Sequence, residues 1–215
     1  MSSLERIEAS LKVGQENFSY NNQASSHTLI DFWRWSASSI LSNTTRGHLA
    51  EFIVATATNI DIKQARVEWD AYDLLTPGGI KIEVKSAAYL LSWKQDEFSK
   101  ISFSIKPTRP WDWELNKRAP IAKRSADVYV FCLLHHADKA TIDPLNMDQW
   151  EFYVLATEEL NNYKRSQHSI TLNSLKRLTN AVKFDRLYQE IKIKNSLNCQ
   201  SLCTYSNVES QNPSE

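Results

Sequence analysis

Two carboxylates and a lysine stand close together between Tyr72 and Ser86, in the run Tyr-Asp-Leu-Leu-Thr-Pro-Gly-Gly-Ile-Lys-Ile-Glu-Val-Lys-Ser. Pro77-Gly78-Gly79 is a cluster of chain breakers between two alternating segments, 65–76 and 80–90, and predicts the turn of a β-hairpin. With the turn centred on Gly78, residues whose numbers sum to about 156 face one another, which sets Asp73 opposite Glu83. Glu83 and Lys85 share that face, and Ile82, Val84 and Ser86 take the other. Opposed carboxylates repel unless a cation lies between them, and hard oxygen ligands suit Mg²⁺ or Mn²⁺. A neighbouring lysine can orient a metal-bound water and stabilise charge developing on a phosphoryl group. Asp70 lies an odd number of residues from Asp73, so it replaces Asp73 as ligand only if a bulge shifts the register. The competing reading of the three residues is a solvated ladder of ion pairs.

Helices and further strands are expected around this hairpin. Ser2 with Glu5 predicts a short helix over 2–13, and Gly14 to Ser26 reads as a polar loop. Thr28 with Asp31 is a second capping pattern, opening a helix of roughly 29–42 with Ile30, Trp33, Ala37, Ile40 and Leu41 at helical spacing. A further helix follows Asn43-Thr44-Thr45, with Leu49, Phe52, Ile53 and Ala57 as its apolar stripe. Strands are expected at 101–105, 127–134 and 150–156, whereas 106–126 is basic and aromatic without clear period. Past Thr157 the chain looks helical or mixed, and from about Asn198 it is polar and reads as disordered.

Asp73 followed by Glu83-Val84-Lys85 on the next hairpin strand resembles the PD-(D/E)xK phosphodiesterase superfamily, the restriction-endonuclease-like nucleases. Arg46-Gly47-His48-Leu49-Ala50-Glu51-Phe52 is similar to that family's first core helix. The resemblance covers roughly residues 44–134. It departs from the family pattern at Tyr72, where a proline often precedes the aspartate, and in 106–126, where Pro107, Pro110 and Pro120 leave little room for the usual helix.

The resemblance implies an α/β fold with a restriction-endonuclease-like core, a mixed β-sheet flanked by helices, and added N- and C-terminal helical segments. One domain is expected over 1–197, with its core at about 44–157 and a polar tail at 198–215. The implied activity is divalent-metal-dependent hydrolysis of phosphodiester bonds in DNA, of the defence, repair or recombination type. Asp73 and Glu83 would hold Mg²⁺ or Mn²⁺, Lys85 would position or activate the attacking water, and Glu51 would add a ligand or bind a second metal. A homodimer is a further expectation from the resemblance. The alternative is a nuclease-like module that binds nucleic acid without turnover, since fold does not settle function.

Net charge is zero over 215 residues, which argues against a wholly basic nucleic-acid coat. The charge is nonetheless uneven: residues 1–99 carry 9 basic and 12 acidic side chains, and residues 100–199 carry 16 and 11. Lys106, Arg109, Lys117, Arg118, Lys123 and Arg124 are therefore the candidates for phosphate contacts. Ser86 and Gln95, which follow the lysine, are weaker candidates for touching substrate or water. No apolar run approaches the ~20 residues of a membrane span, and no leader pattern is read at the N-terminus, so a cytoplasmic protein is expected. The adjacent His135 and His136 point to opposite faces at a strand end and read as loop entry, and three cysteines suggest no disulfide framework.

Overall fold

The computed structural model describes residue 4 and residues 7–66, 71–112 and 116–209. The chain opens with a hairpin of β1 (Asn17–Tyr20) and β2 (Gln23–Thr28), followed by α1 (Leu29–Ala37) and α2 (Asn43–Ala57). Next come β3 (Leu74–Leu75), β4 (Lys81–Ala88), β5 (Ser102–Ser104), β6 (Trp111–Asp112), β7 (Lys117–Arg118) and β8 (Val128–Leu134). The chain continues with β9 (Trp150–Ala156), α3 (Thr157–Asn161), β10 (Ser169–Thr171), α4 (Leu172–Leu178) and α5 (Phe184–Glu209).

The central sheet has the order β3-β4-β8-β9, with β4 and β8 parallel and the two outer pairings antiparallel. It is the mixed sheet flanked by helices that the α/β reading expects. Strand β8, Val-Tyr-Val-Phe-Cys-Leu-Leu, is buried along its whole length because both of its faces are covered. Its even-numbered side chains, with Ile82, Val84, Phe152 and Val154, pack against Ala50, Ile53 and Val54 of α2 and Leu187 and Ile191 of α5. Its odd-numbered side chains, Tyr129, Phe131 and Leu133, join Phe103 of β5, Ile105 just beyond that strand, Ile170 of β10 and Leu175 of α4. Phe131 meets Phe103 edge to face at 5.2 Å.

Strand β4 has the same apolar face toward the helices, but its other face is mixed. There Glu83 pairs with Tyr129 and Lys85 with Phe131, and only Ala87 beyond them joins the apolar layer. The sheet is therefore dry on one side of β4 and polar at one end of the other. No described helix is long and apolar enough to cross a membrane.

Several local expectations give way to the tertiary structure. The described part of 2–13 forms no helix, and 14–26 contains β1 and β2 rather than an open loop. That hairpin turns on Asn21 and Asn22, both at positive φ, a conformation that asparagine tolerates better than most residues. Among the described residues of 65–76 only Leu74 and Leu75 are strand, and the helix predicted to 42 ends at Ala37. In 106–126, where prolines oppose a helix, the chain forms the small β6–β7 hairpin and a bridge between Thr108 and Lys123. α5 continues to Glu209, past the point at Asn198 where composition reads as a polar tail.

Because Phe131 is fully buried and holds Phe103 against the sheet, Phe131→Ala is expected to lower unfolding free energy by about 3–5 kcal/mol. Urea titration followed by circular dichroism measures it; a loss under ~1 kcal/mol would mean that this layer is not a packed core.

Candidate active site

The hairpin register is the one the spacing predicts, with Leu74 opposite Ile82 and Leu75 opposite Lys81. The turn is closed by Thr76: its N–H donates to Ile80 O at 3.0 Å, and its Oγ1 accepts from Ile80 N at 3.0 Å. Gly79 supplies the positive φ, +82°, that the turn requires.

At Asp73 the ladder changes. The Asp73 N–H donates to Ile82 O at 3.0 Å, although Ile82 is already the partner of Leu74. The Asp73 carboxylate then accepts the Val84 N–H at 2.7 Å. A side-chain oxygen thus takes the place on β4 that another backbone carbonyl of β3 would fill. Asp73 is consequently not squarely opposite Glu83 in the ladder, but its carboxylate still lies in the field of Glu83, Lys85 and Glu51. Burial first, and repulsion by Glu83 second, push its pKa up to about 6, against the lowering influence of the Val84 N–H and Lys85. Across β8, burial and the negative charge of Glu83 raise the phenol of Tyr129, so it stands neutral beside these acids.

Lys85 Nζ lies 2.5 Å from Glu83 Oε1, so the two side chains share one face, as their spacing predicts. Glu51 approaches from α2. Arg66 binds it in a fork, Nε to Oε2 at 2.5 Å and Nη2 to Oε1 at 3.1 Å. Glu51, His48, Phe52, Arg66, Tyr72 and Asp73 line one cleft of about 400 Å³ between α2 and the start of β3. The helix is fixed there by Arg46, which is buried and donates to Ser86 Oγ, Leu41 O and Asn43 Oδ1 at 3.0–3.2 Å. Removal from water pulls the pKa of this guanidinium down.

The structure therefore brings Asp73, Glu83, Lys85 and Glu51 into one electrostatic neighbourhood. Asp70 lies outside the described residues. The donor set is all carboxylate oxygen, which suits a hard divalent cation. Among the described residues, however, no three His, Cys, Asp or Glu side chains are already gathered as ligands to a single ion. The reason is visible in the pairings: Arg66 holds Glu51 and Lys85 holds Glu83. The donor chemistry fits a cation, and closing around one requires these carboxylates to turn from their basic partners.

The basic residues divide into two groups. Lys106, Arg109 and Arg118, with Trp111, line a second cleft of about 580 Å³ whose wall includes Ala71, two residues from Asp73. Lys117 and Lys123 are exposed on the same β6–β7 excursion. Arg124 departs from the expectation. Its guanidinium donates to Ile105 O, Asn161 Oδ1 and Gln167 Oε1 at 2.8–3.0 Å, so it ties the excursion to the core rather than facing outward.

Ser86 and Gln95 also have structural duties. Ser86 accepts from Arg46, and Gln95 closes its own loop by accepting the Leu91 N–H and donating to Tyr89 O. His135 and His136 are loop residues, bonded to Asp148 O and Thr141 Oγ1. Sequence reasoning missed Arg66 and the anchoring role of Arg46. Arg66 carries no signal in the sequence, being 15 residues from Glu51 across a turn of irregular chain.

A family model described as bacteriophage T4 endonuclease IV matches residues 16–174, a span that contains all four of these side chains. No curated protein matches the chain.

The raised Asp73 pKa has a consequence for stability. Between the ordinary carboxylate range near 4 and about 6, the native state retains a proton that the unfolded chain has lost, so stability falls as pH rises through that window. Asp73→Asn keeps an oxygen for the Val84 N–H and removes the charge. It is expected to raise stability at pH 8 in the presence of a chelator by on the order of 3 kcal/mol, an advantage that vanishes toward pH 4. Thermal melts of both proteins across this range check it; a gain independent of pH would show that the ionised carboxylate carries no such cost.

Proposed function

The chain belongs to the bacteriophage T4 endonuclease IV family, and we propose that it is a divalent-metal-dependent endonuclease hydrolysing phosphodiester bonds in DNA through a PD-(D/E)xK-type centre. The observation that carries this reading is the half-buried carboxylate of Asp73, just ahead of β3 and in the field of Glu83, with Lys85 sharing the Glu83 face of β4. A half-buried pair of neighbouring carboxylates is costly in an inert protein and is relieved by a cation.

Asp73 and Glu83 are the residues that would hold Mg²⁺ or Mn²⁺, with Glu51 completing the set from α2. The ion, when bound, supplies positive charge to the phosphoryl oxygens and lowers the pKa of water. With Glu83 facing such an ion, the Lys85 ammonium would have hydrogens to direct at a water and at a phosphoryl oxygen. Val84 keeps Asp73 oriented through its backbone N–H, so this carboxylate does not have to be ordered on binding. Arg46 and Ser86 maintain the distance between α2 and β4 over which Glu51 must act. The cleft lined by Lys106, Arg109 and Arg118 receives the sugar–phosphate chain, with Lys117 and Lys123 at its margin.

Two measurements test the assignment. With DNA substrates in Mg²⁺ or Mn²⁺, Lys85→Ala is expected to lose roughly 10²–10⁴ in cleavage rate while retaining DNA binding, because the lysine acts chiefly in the transition state. Asp73→Ala is expected to lose metal binding as well, read by calorimetry. Cleavage unchanged in Lys85→Ala removes the role given to that lysine, and no cleavage by the parent protein with either metal favours a binding module.

The second measurement concerns the basic cleft. An Arg109→Ala/Arg118→Ala variant is expected to weaken DNA binding and to flatten its salt dependence by a slope of roughly 1–2, since each lost phosphate contact removes about 0.7–0.9 of a released counterion. An unaltered slope would place the nucleic acid elsewhere on the surface.

A further inference from the structure

In the buried strand β8, Val-Tyr-Val-Phe-Cys-Leu-Leu, Tyr129 is the one side chain with a strong hydrogen-bonding group. It is 4% exposed, and its ring belongs to the apolar layer, stacked on Phe131 with centroids 6.2 Å apart. Buried tyrosines usually find a partner for the hydroxyl, because an unpaired donor taken out of water costs stability. The Tyr129 hydroxyl makes no hydrogen bond to any described residue. Nor is it sealed in: among the described residues the buried side-chain oxygen left without a partner is Ser125 Oγ, so the phenol oxygen opens to solvent.

Its neighbours identify what that donor serves. β4 and β8 run parallel with Glu83 beside Tyr129, so the two side chains project from the same face of the sheet. The phenol lies in the field of Glu83, Arg124 and Asp73. The nearest groups of matching chemistry are engaged elsewhere: Lys85 holds Glu83, and the Arg124 guanidinium donates to Ile105 O, Asn161 Oδ1 and Gln167 Oε1. Arg124 also fastens the foot of the excursion whose Lys106, Arg109 and Arg118 line the basic cleft. The hydroxyl therefore adjoins both halves of the candidate site, the carboxylates and the root of the basic segment.

A phenol ordinarily titrates at about 10, so at neutral pH this group is a donor with no acceptor in the protein. A neutral donor suits the position better than another ammonium would. It can hold a phosphoryl oxygen without competing with a divalent cation for Asp73 and Glu83. Phenylalanine would fill the apolar layer equally well, so packing gives no reason for the hydroxyl. We infer that the Tyr129 hydroxyl is a substrate-binding group that donates to a non-bridging oxygen of the phosphodiester at the candidate centre, an assignment that rests on the nuclease reading of that centre.

Tyr129→Phe removes the hydroxyl and keeps the ring. Binding of a fluorescein-labelled DNA oligonucleotide, read by anisotropy in Ca²⁺ as a hard cation for the same oxygen ligands, is expected to weaken on the order of tenfold, the loss of one hydrogen bond to a charged acceptor. The salt slope of binding is expected to match the parent's, because a neutral donor releases no counterion. Ca²⁺ affinity by calorimetry is expected to be unchanged, and the melting temperature to equal or exceed the parent's. Equal DNA affinity in the variant overturns the inference, as does a parent that binds no DNA. A loss of Ca²⁺ affinity that accounts for the whole loss of DNA binding overturns it too, since the hydroxyl would then serve Glu83. A melting temperature well below the parent's would place the hydroxyl in the packing of the core and has the same force. A parent that binds DNA but cleaves none with Mg²⁺ or Mn²⁺ refutes turnover alone, and the ratio of the two DNA affinities still decides the role of Tyr129.

Discussion

The hydrogen bond from the Val84 N–H to the Asp73 carboxylate is the constraint around which the candidate site is arranged. A strand that continued past Leu74 would satisfy that N–H with a backbone carbonyl and send the Asp73 side chain wherever the pleat dictated. Ending the ladder one residue early turns the side chain itself into the partner. The carboxylate is thereby drawn into the protein beside Glu83, where burial and like charge oppose its ionisation. Such a group is a poor contributor to stability and a good receiver for a cation, and these are two aspects of the same electrostatic fact.

Everything else near the site keeps this edge of β4 both supported and open. α2 packs Ala50, Ile53 and Val54 on the apolar face of the sheet, and the buried Arg46 pins its first turns to Ser86, one residue beyond Lys85. This fixes where Glu51 emerges. On the opposite face, the apolar layer built on Tyr129, Phe131 and Phe103 stops short of Glu83 and Lys85, leaving them half-buried rather than sealed. The two basic partners, Arg66 and Lys85, neutralise Glu51 and Glu83.

The long crossover between the parallel strands β4 and β8 has a comparable double use. A helix usually makes such a connection. Here prolines exclude one from 106–126, and the chain instead lays Phe103 and Ile105 on the sheet before turning out as the β6–β7 hairpin. Arg124 fastens the return of that excursion to Ile105, Asn161 and Gln167. The remaining basic side chains stay exposed, and Lys106, Arg109 and Arg118 line a cleft with Ala71 beside the candidate site.

How much of this was legible beforehand depended on whether the signal was local. The Pro-Gly-Gly turn set the hairpin register, and a two-residue spacing alone placed Glu83 and Lys85 on one face, because strand geometry depends on nothing outside the strand. The continuous apolar run of β8 announced a strand, and the asparagines at 21–22 carried a turn signal that the weak alternation of their flanks obscured. Tertiary structure decided the rest. Whether Asp73 continues the ladder or caps it turns on where β3 stops, and the capture of Glu51 by Arg66 and of Arg124 by Asn161 and Gln167 joins segments 15 to 43 residues apart. A basic residue's type says that it seeks an acceptor; only the folded chain determines whether that acceptor lies within the protein or remains to be supplied by a ligand.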